Sequence, residues 1–265
     1  FIILAAGIVW LWNIKKIKTT PLIIFIGFPI LIDLWTVDKR YLNNEHFIPK
    51  RKAENPFPKM PVDEAILKDQ ELYFRVLPLQ NPFQDARTSY YHKNVGGYHA
   101  AKLRRYQEFI DYHLQPELQQ LIAGLQNQDL SDSLFLNLNA INMMNTKYLI
   151  YDLNQAPLRN PYPMGNAWFT DNYKIVENAD EEIITLKDTD PAKTAVIDKK
   201  FKNFVEGKQF SKDQSASVKL TEYRPDYLKY SANTKSEQLA VFSEIYYDKG
   251  WKAFMNGKEV PHFRV

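Results

Sequence analysis

Phe1-Ile-Ile-Leu-Ala-Ala-Gly-Ile-Val-Trp-Leu-Trp-Asn-Ile14 opens the chain, Lys15-Lys16-Ile17-Lys18-Thr19-Thr20 follows, and Pro21-Leu-Ile-Ile-Phe-Ile-Gly-Phe-Pro-Ile-Leu-Ile-Asp-Leu-Trp35 completes the stretch. Twelve of the first fourteen residues are apolar and none is charged, while the second run carries one charge, Asp33. A signal peptide would need a basic region before the apolar run and a small-residue cleavage site after it, and neither is visible. A buried helical hairpin of a soluble domain is a second reading, but both runs are apolar on every face. Two membrane helices joined by a short basic loop explain more. Trp10, Trp12 and Trp35 sit near the run ends, where interfacial aromatics belong. Pro21 suits a first helical turn, and Pro29 is better tolerated inside a membrane helix than inside a soluble one. The second run alone spans roughly 22 Å as a helix, so its flanks must extend it to cross a hydrocarbon core of about 30 Å. The positive-inside rule puts Lys15, Lys16 and Lys18 on the cytoplasmic side and everything after about residue 36 outside.

Whole-chain totals conceal this step. The 265 residues hold 34 Lys+Arg, 31 Asp+Glu, no Cys, 15 Pro and 9 Gly, ordinary globular values that exclude wholesale disorder and a disulfide framework. A net charge of +3 is too weak to imply a nucleic-acid partner. Beyond Trp35 the chain carries 31 basic against 30 acidic residues and is rich in Tyr and Phe, with 16 of each in the chain. Phe1 in place of Met, and a last strand still open at Val265, give the expectation of a piece of a longer protein.

The expected fold class is α+β. Residues 1–35 form two transmembrane helices and 36–61 an extended linker, with Pro49, Pro56, Pro58 and Pro61 and the basic run Lys50-Arg51-Lys52. Residues 62–187 form a mixed α+β extracytoplasmic subdomain, and 188–265 a truncated antiparallel β-sandwich. Short strands are expected over 72–77, 147–151, 167–170 and 173–177, and helices over 62–68, 98–113, 117–126 and 178–186, with Pro116 interrupting the helical pattern. From Thr194 the pattern is strands alone. Asn256-Gly257 carries the type I′ hairpin signature.

Candidate chemistry is sparse. His46, His92, His99, His113 and His262 show no metal-ligand spacing, and no phosphate loop or nucleophile elbow is present. Gly96-Gly97 precedes an expected helix beginning Tyr98-His99 and carrying Lys102, Arg104 and Arg105. A sugar or lipid phosphate would suit such a start, and a solvated basic face explains the same residues. Trp168 and Trp251 can stack on sugar rings if exposed, or fill a β core if buried. Neither a cofactor nor a metal is expected.

Val95-Gly-Gly-Tyr-His-Ala-Ala-Lys-Leu-Arg-Arg-Tyr106 resembles a segment of the bacterial YfhO family of membrane proteins. So do Leu138-Asn-Ala-Ile-Asn-Met-Met-Asn-Thr-Lys-Tyr-Leu-Ile150, Gly165-Asn-Ala-Trp-Phe169 and Tyr246-Tyr-Asp-Lys-Gly-Trp-Lys-Ala-Phe-Met-Asn-Gly-Lys-Glu-Val-Pro261. The motifs occur in family order, and they follow a hydrophobic run ending Asp33-Leu-Trp that precedes Lys39-Arg-Tyr-Leu42. The resemblance implies a polytopic GT-C-like glycosyltransferase of the bacterial cytoplasmic membrane. It would move a sugar from a polyprenyl-phosphate donor to an envelope glycan acceptor, with membrane lipids as further partners. The family's catalytic loop lies among early membrane helices and matches no position here. No catalytic residue is therefore carried over, and this part is expected to bind or orient substrate. A non-catalytic assembly module of the envelope is the alternative, and a soluble hydrolase with a buried hairpin a third.

Overall fold

The computed structural model describes residues 2–210 and 213–265. They form two compact units, Phe1–Pro58 and Lys59–Val265.

In the first unit α1 (Ile2–Asn13) packs on α2 (Thr19–Tyr41). Leu4 and Ile8 of α1 line one apolar groove with Ile24 and Phe28 of α2. The connection turns at Lys15, whose φ is 57°. At 1.5 Å per residue the 23 residues of α2 reach about 35 Å, longer than a hydrocarbon core. Ile23, Phe28, Leu31 and Trp35 are all more than 60% exposed, so this helix presents apolar surface that the other described residues leave uncovered. Among the described residues it is the one helix long and apolar enough to cross a membrane. The twelve residues of α1 span about 18 Å, less than a hydrocarbon core, so α2 is the helix that the described residues show as long enough to span. The stretch 36–61 is also less extended than its prolines suggest. Helix α2 runs on to Tyr41, a 3-10 turn follows at Asn44–His46, and α3 covers Lys50–Glu54.

The second unit begins with α4 (Pro61–Ile66) and β1 (Arg75–Pro78). Strand β1 lies parallel to β2 (Thr146–Ile150), which pairs antiparallel with β3 (Leu158–Arg159). Alternation sends neighbouring side chains to opposite faces. Leu77 and Leu149 enter one core with Ile110, Leu114, Leu121, Leu138 and Ile141, while Val76 and Ile150 enter another with Val62 and Ile66 of α4. Both faces are covered, so the buried strand pair needs no alternating polar residues.

The parallel crossover contains α5 (Arg87–Tyr91), α6 (Arg104–Phe109), a π-helical turn (Ile110–Leu114), α7 (Gln115–Gln126), α8 (Asp132–Leu136) and α9 (Asn139–Met143). The helix expected from residue 98 starts instead at Arg104, because Leu103 is extended at ψ 131° and Gly97 sits at φ +90°. The loop is pinned from within. Gly97 N–H donates to the Pro82 carbonyl at 2.7 Å, and the Tyr106 hydroxyl donates to the Val95 carbonyl.

Beyond β3, β4 (Ala167–Thr170) leads to β5 (Asn172–Val176), α10 (Ala179–Leu186) and β6 (Thr194–Asp198). Asn178 caps α10, its side chain accepting from Asp180 N–H at 3.0 Å and Glu181 N–H at 2.9 Å. Strands β5 and β6 are parallel, a β-α-β unit that runs across residue 188. The hairpin β7 (Ser217–Arg224) and β8 (Tyr227–Asn233) follows. Strand β9 (Leu239–Phe242) then returns to pair antiparallel with β4. The last hairpin, β10 (Ala253–Met255) and β11 (Lys258–Val260), turns on Asn256 and Gly257 at φ 51° and 78°, as the type I′ signature requires. The unit is therefore mixed α/β, with one three-stranded sheet and several two-stranded ladders. The residues expected to form a separate sandwich from 188 onward share ladders with the preceding segment. Period-two patterning marks a strand but does not choose its partner.

Candidate functional site

Pro116 is the local cause of the most distinctive geometry in the second unit. It lacks an N–H, and its ring would clash with the carbonyl four residues back in an α-helix. The helix neither stops nor breaks there. It widens at Ile110–Leu114, with Gln115 N–H bonding to the Ile110 carbonyl, and resumes as α7. Helix continuity through Pro116 corrects the expected interruption. π-Turns recur at functional sites because they re-aim side chains without ending the helix. Here the turn carries Tyr112 outward and His113 inward, at 59% and 7% exposure.

A cleft of about 210 Å³ opens beside this turn, walled by α7, the start of α9, the end of α10 and the loop at Pro191. On its floor Glu117 accepts from Ala140 N–H at 2.8 Å and Ile141 N–H at 2.9 Å. It thereby caps α9 from a distant segment, since Leu138 at the cap position offers no polar side chain. Burial pushes the Glu117 pKa up to about 7, against the two backbone N–H groups that hold it down. His113 bonds through Nε2 to the Ile183 carbonyl at 2.7 Å. A carbonyl only accepts, so Nε2 bears the proton and Nδ1 is left as an acceptor. Burial also draws its pKa below the ordinary imidazole value, the Ile183 carbonyl opposing and the Lys187 charge assisting. Gln120 and Asn139 line the same cleft, and their amides make no side-chain hydrogen bond among the described residues.

The residues singled out in the sequence do not assemble into one site. Tyr98 is 72% exposed in the irregular stretch before α6, and His99 accepts from Ala101 N–H at 3.2 Å. Lys102 lies over the Phe83 ring, and Arg104 pairs with Glu108 at 2.9 Å along α6. Arg105 reaches Glu182 of α10 at 2.9 Å. Trp168 is half-buried in β4, and its indole N–H donates to the Pro191 carbonyl at 2.8 Å. Trp251 is half-buried and donates to the Ile245 carbonyl at 3.2 Å. Two of these seven nevertheless hold cleft walls in place: Arg105 ties α10 to α6, and Trp168 fixes Pro191. Glu117 and His113 are the cleft residues that sequence reasoning passed over. Their signal was Pro116 inside an otherwise continuous helical pattern.

Two other charged clusters are fully engaged. Asp63 receives Arg87, the Met60 N–H at 2.9 Å and His92 Nε2 at 2.9 Å. Burial opposes its ionisation, but these donors together hold its pKa below the ordinary value. Glu182 is bracketed by Arg105 and Arg264, and Arg264 also reaches Asp198 at 3.3 Å. Among the described residues no group of three or more His, Asp or Glu side chains is placed to hold a metal ion.

No protein-family model, curated protein or solved structure matches the chain.

Proposed function

We propose that this chain is the extracytoplasmic, substrate-orienting part of a YfhO-like membrane glycosyltransferase. It would sit in the bacterial cytoplasmic membrane with the second unit outside, near a polyprenyl-phosphate-linked sugar and an envelope glycan acceptor. On this reading the β7–β8 and β10–β11 hairpins contribute to an antiparallel sandwich. The observation that carries the proposal is the ordered set of four motifs following an apolar helix long enough to span a bilayer. The engagement of Asp63, Glu182 and Asp198 by cations fits a binding role rather than bond-making.

The test is a titration of the full chain in lipid nanodiscs with purified envelope glycans, followed by tryptophan fluorescence. Saturable change supports the reading. Absence of any response leaves a membrane-anchored assembly module as the better account.

A further inference from the structure

We propose that the cleft between the π-turn, α7 and α9 binds one neutral, polyhydroxylated ring of monosaccharide size. The inference deepens the glycan-binding reading above and rests on it for the source of the sugar.

The chemistry of the walls selects the ligand class. The volume of about 210 Å³ holds several waters, which a single sugar ring would displace. A wholly apolar ligand is disfavoured, because Glu117, His113, Gln120 and Asn139 line the cleft beside the apolar Met143 and Leu186. An anion such as phosphate would find one cationic side chain on the walls, the exposed Lys187, and no cluster of charged donors to match it. A metal ion would have too few ligands. What remains is a neutral molecule offering many hydrogen-bonding groups. Gln120 and Asn139 each present a donor and an acceptor on one planar group, which matches the donor–acceptor character of adjacent ring hydroxyls. His113 Nδ1 adds an acceptor. Tyr112, 59% exposed at the rim, offers an aromatic face to the apolar C–H side of a pyranose.

The Glu117 carboxyl is already committed to two backbone N–H groups and positions the α9 wall. Gln120 and Asn139 have no such structural duty, so they are the residues to change.

The full chain in nanodiscs is titrated calorimetrically with glucose and N-acetylglucosamine as neutral probes, and with glucuronate and inorganic phosphate as charged ones. The expected result is neutral-sugar binding with Kd on the order of 1 mM, weakened about tenfold or more in the Gln120→Ala/Asn139→Ala protein. Tyr112→Ala, altered at an exposed rim position, should weaken it as well and serves if the double variant folds poorly. Failure of either neutral probe to bind, tighter binding of glucuronate or phosphate, or undiminished binding by the folded variants overturns the assignment. If envelope glycans still quench tryptophan fluorescence in the double variant, the cleft assignment fails while the broader reading stands. If neutral sugars bind and envelope glycans do not, the cleft stands and the broader reading fails.

Discussion

The Arg75 guanidinium donates through Nη1 to the Ser243 hydroxyl at 2.9 Å, across 168 residues of chain. The same group reaches the Met144 carbonyl at 2.9 Å and the Glu244 carboxylate at 3.2 Å. The Ser243 hydroxyl in turn donates to the Met143 carbonyl at 2.7 Å. One buried side chain of β1 thus joins the three-stranded sheet to the segment after β9. Glu244 Oε1 has no partner among the described residues, and burial raises the Glu244 pKa while Arg75 opposes the rise.

Arg75→Met should therefore lower stability by about 3–5 kcal/mol, because it leaves Glu244 and the Met144 carbonyl without their buried cationic donor. Arg75→Met/Glu244→Leu should recover part of that loss. Urea midpoints for the two proteins check this, and equal midpoints would show that Glu244 contributes nothing to the penalty.

Glu117 sets a pH dependence of definite sign. Its pKa rises from the ordinary 4.5 to about 7 in the folded chain, chiefly through burial. Between those values the unfolded chain loses a proton that the folded chain keeps, so stability falls as pH rises through the window. The full effect is about 3 kcal/mol, complete above pH ~7. Denaturant midpoints at pH 5 and pH 8 measure it, and Glu117→Gln should flatten the difference.

Gly96 fits only without a side chain. A Cβ there would run into the Pro82 carbonyl oxygen and lie 2.9 Å from a Phe83 ring carbon. Gly96→Ala should cost about 3 kcal/mol, read as a lower thermal midpoint. Unchanged stability would mean that the loop before α6 can move aside. Gly165→Ala meets no neighbouring atom but sits at φ +82° and should cost about 1 kcal/mol through backbone strain alone.

The absence of Cys makes membrane sidedness directly measurable. With Lys15, Lys16 and Lys18 inside, Thr20→Cys should resist a membrane-impermeant maleimide in intact spheroplasts, whereas the exposed Gln155→Cys should react. Labelling of the first with protection of the second would reverse the orientation.

The sequence by itself determined the strands β1, β2, β4 and β5, the helices α7 and α10, the apolar run of α2 and the turn at Asn256-Gly257. Those properties are local: side-chain periodicity, the need of a type I′ turn for positive φ, and continuous hydrophobicity. It did not determine how Pro116 would be accommodated, since a break and a π-turn both relieve the clash of its ring with the preceding turn until packing chooses. Packing also decided that β6 would lie beside β5 and β9 beside β4. Glu117 became a distant cap for α9, and Trp168 a fastener for Pro191, only when segments remote in sequence met. The cleft and the Arg75–Ser243 junction therefore belong to the tertiary structure: their hydrogen bonds join groups whose proximity no local pattern encodes.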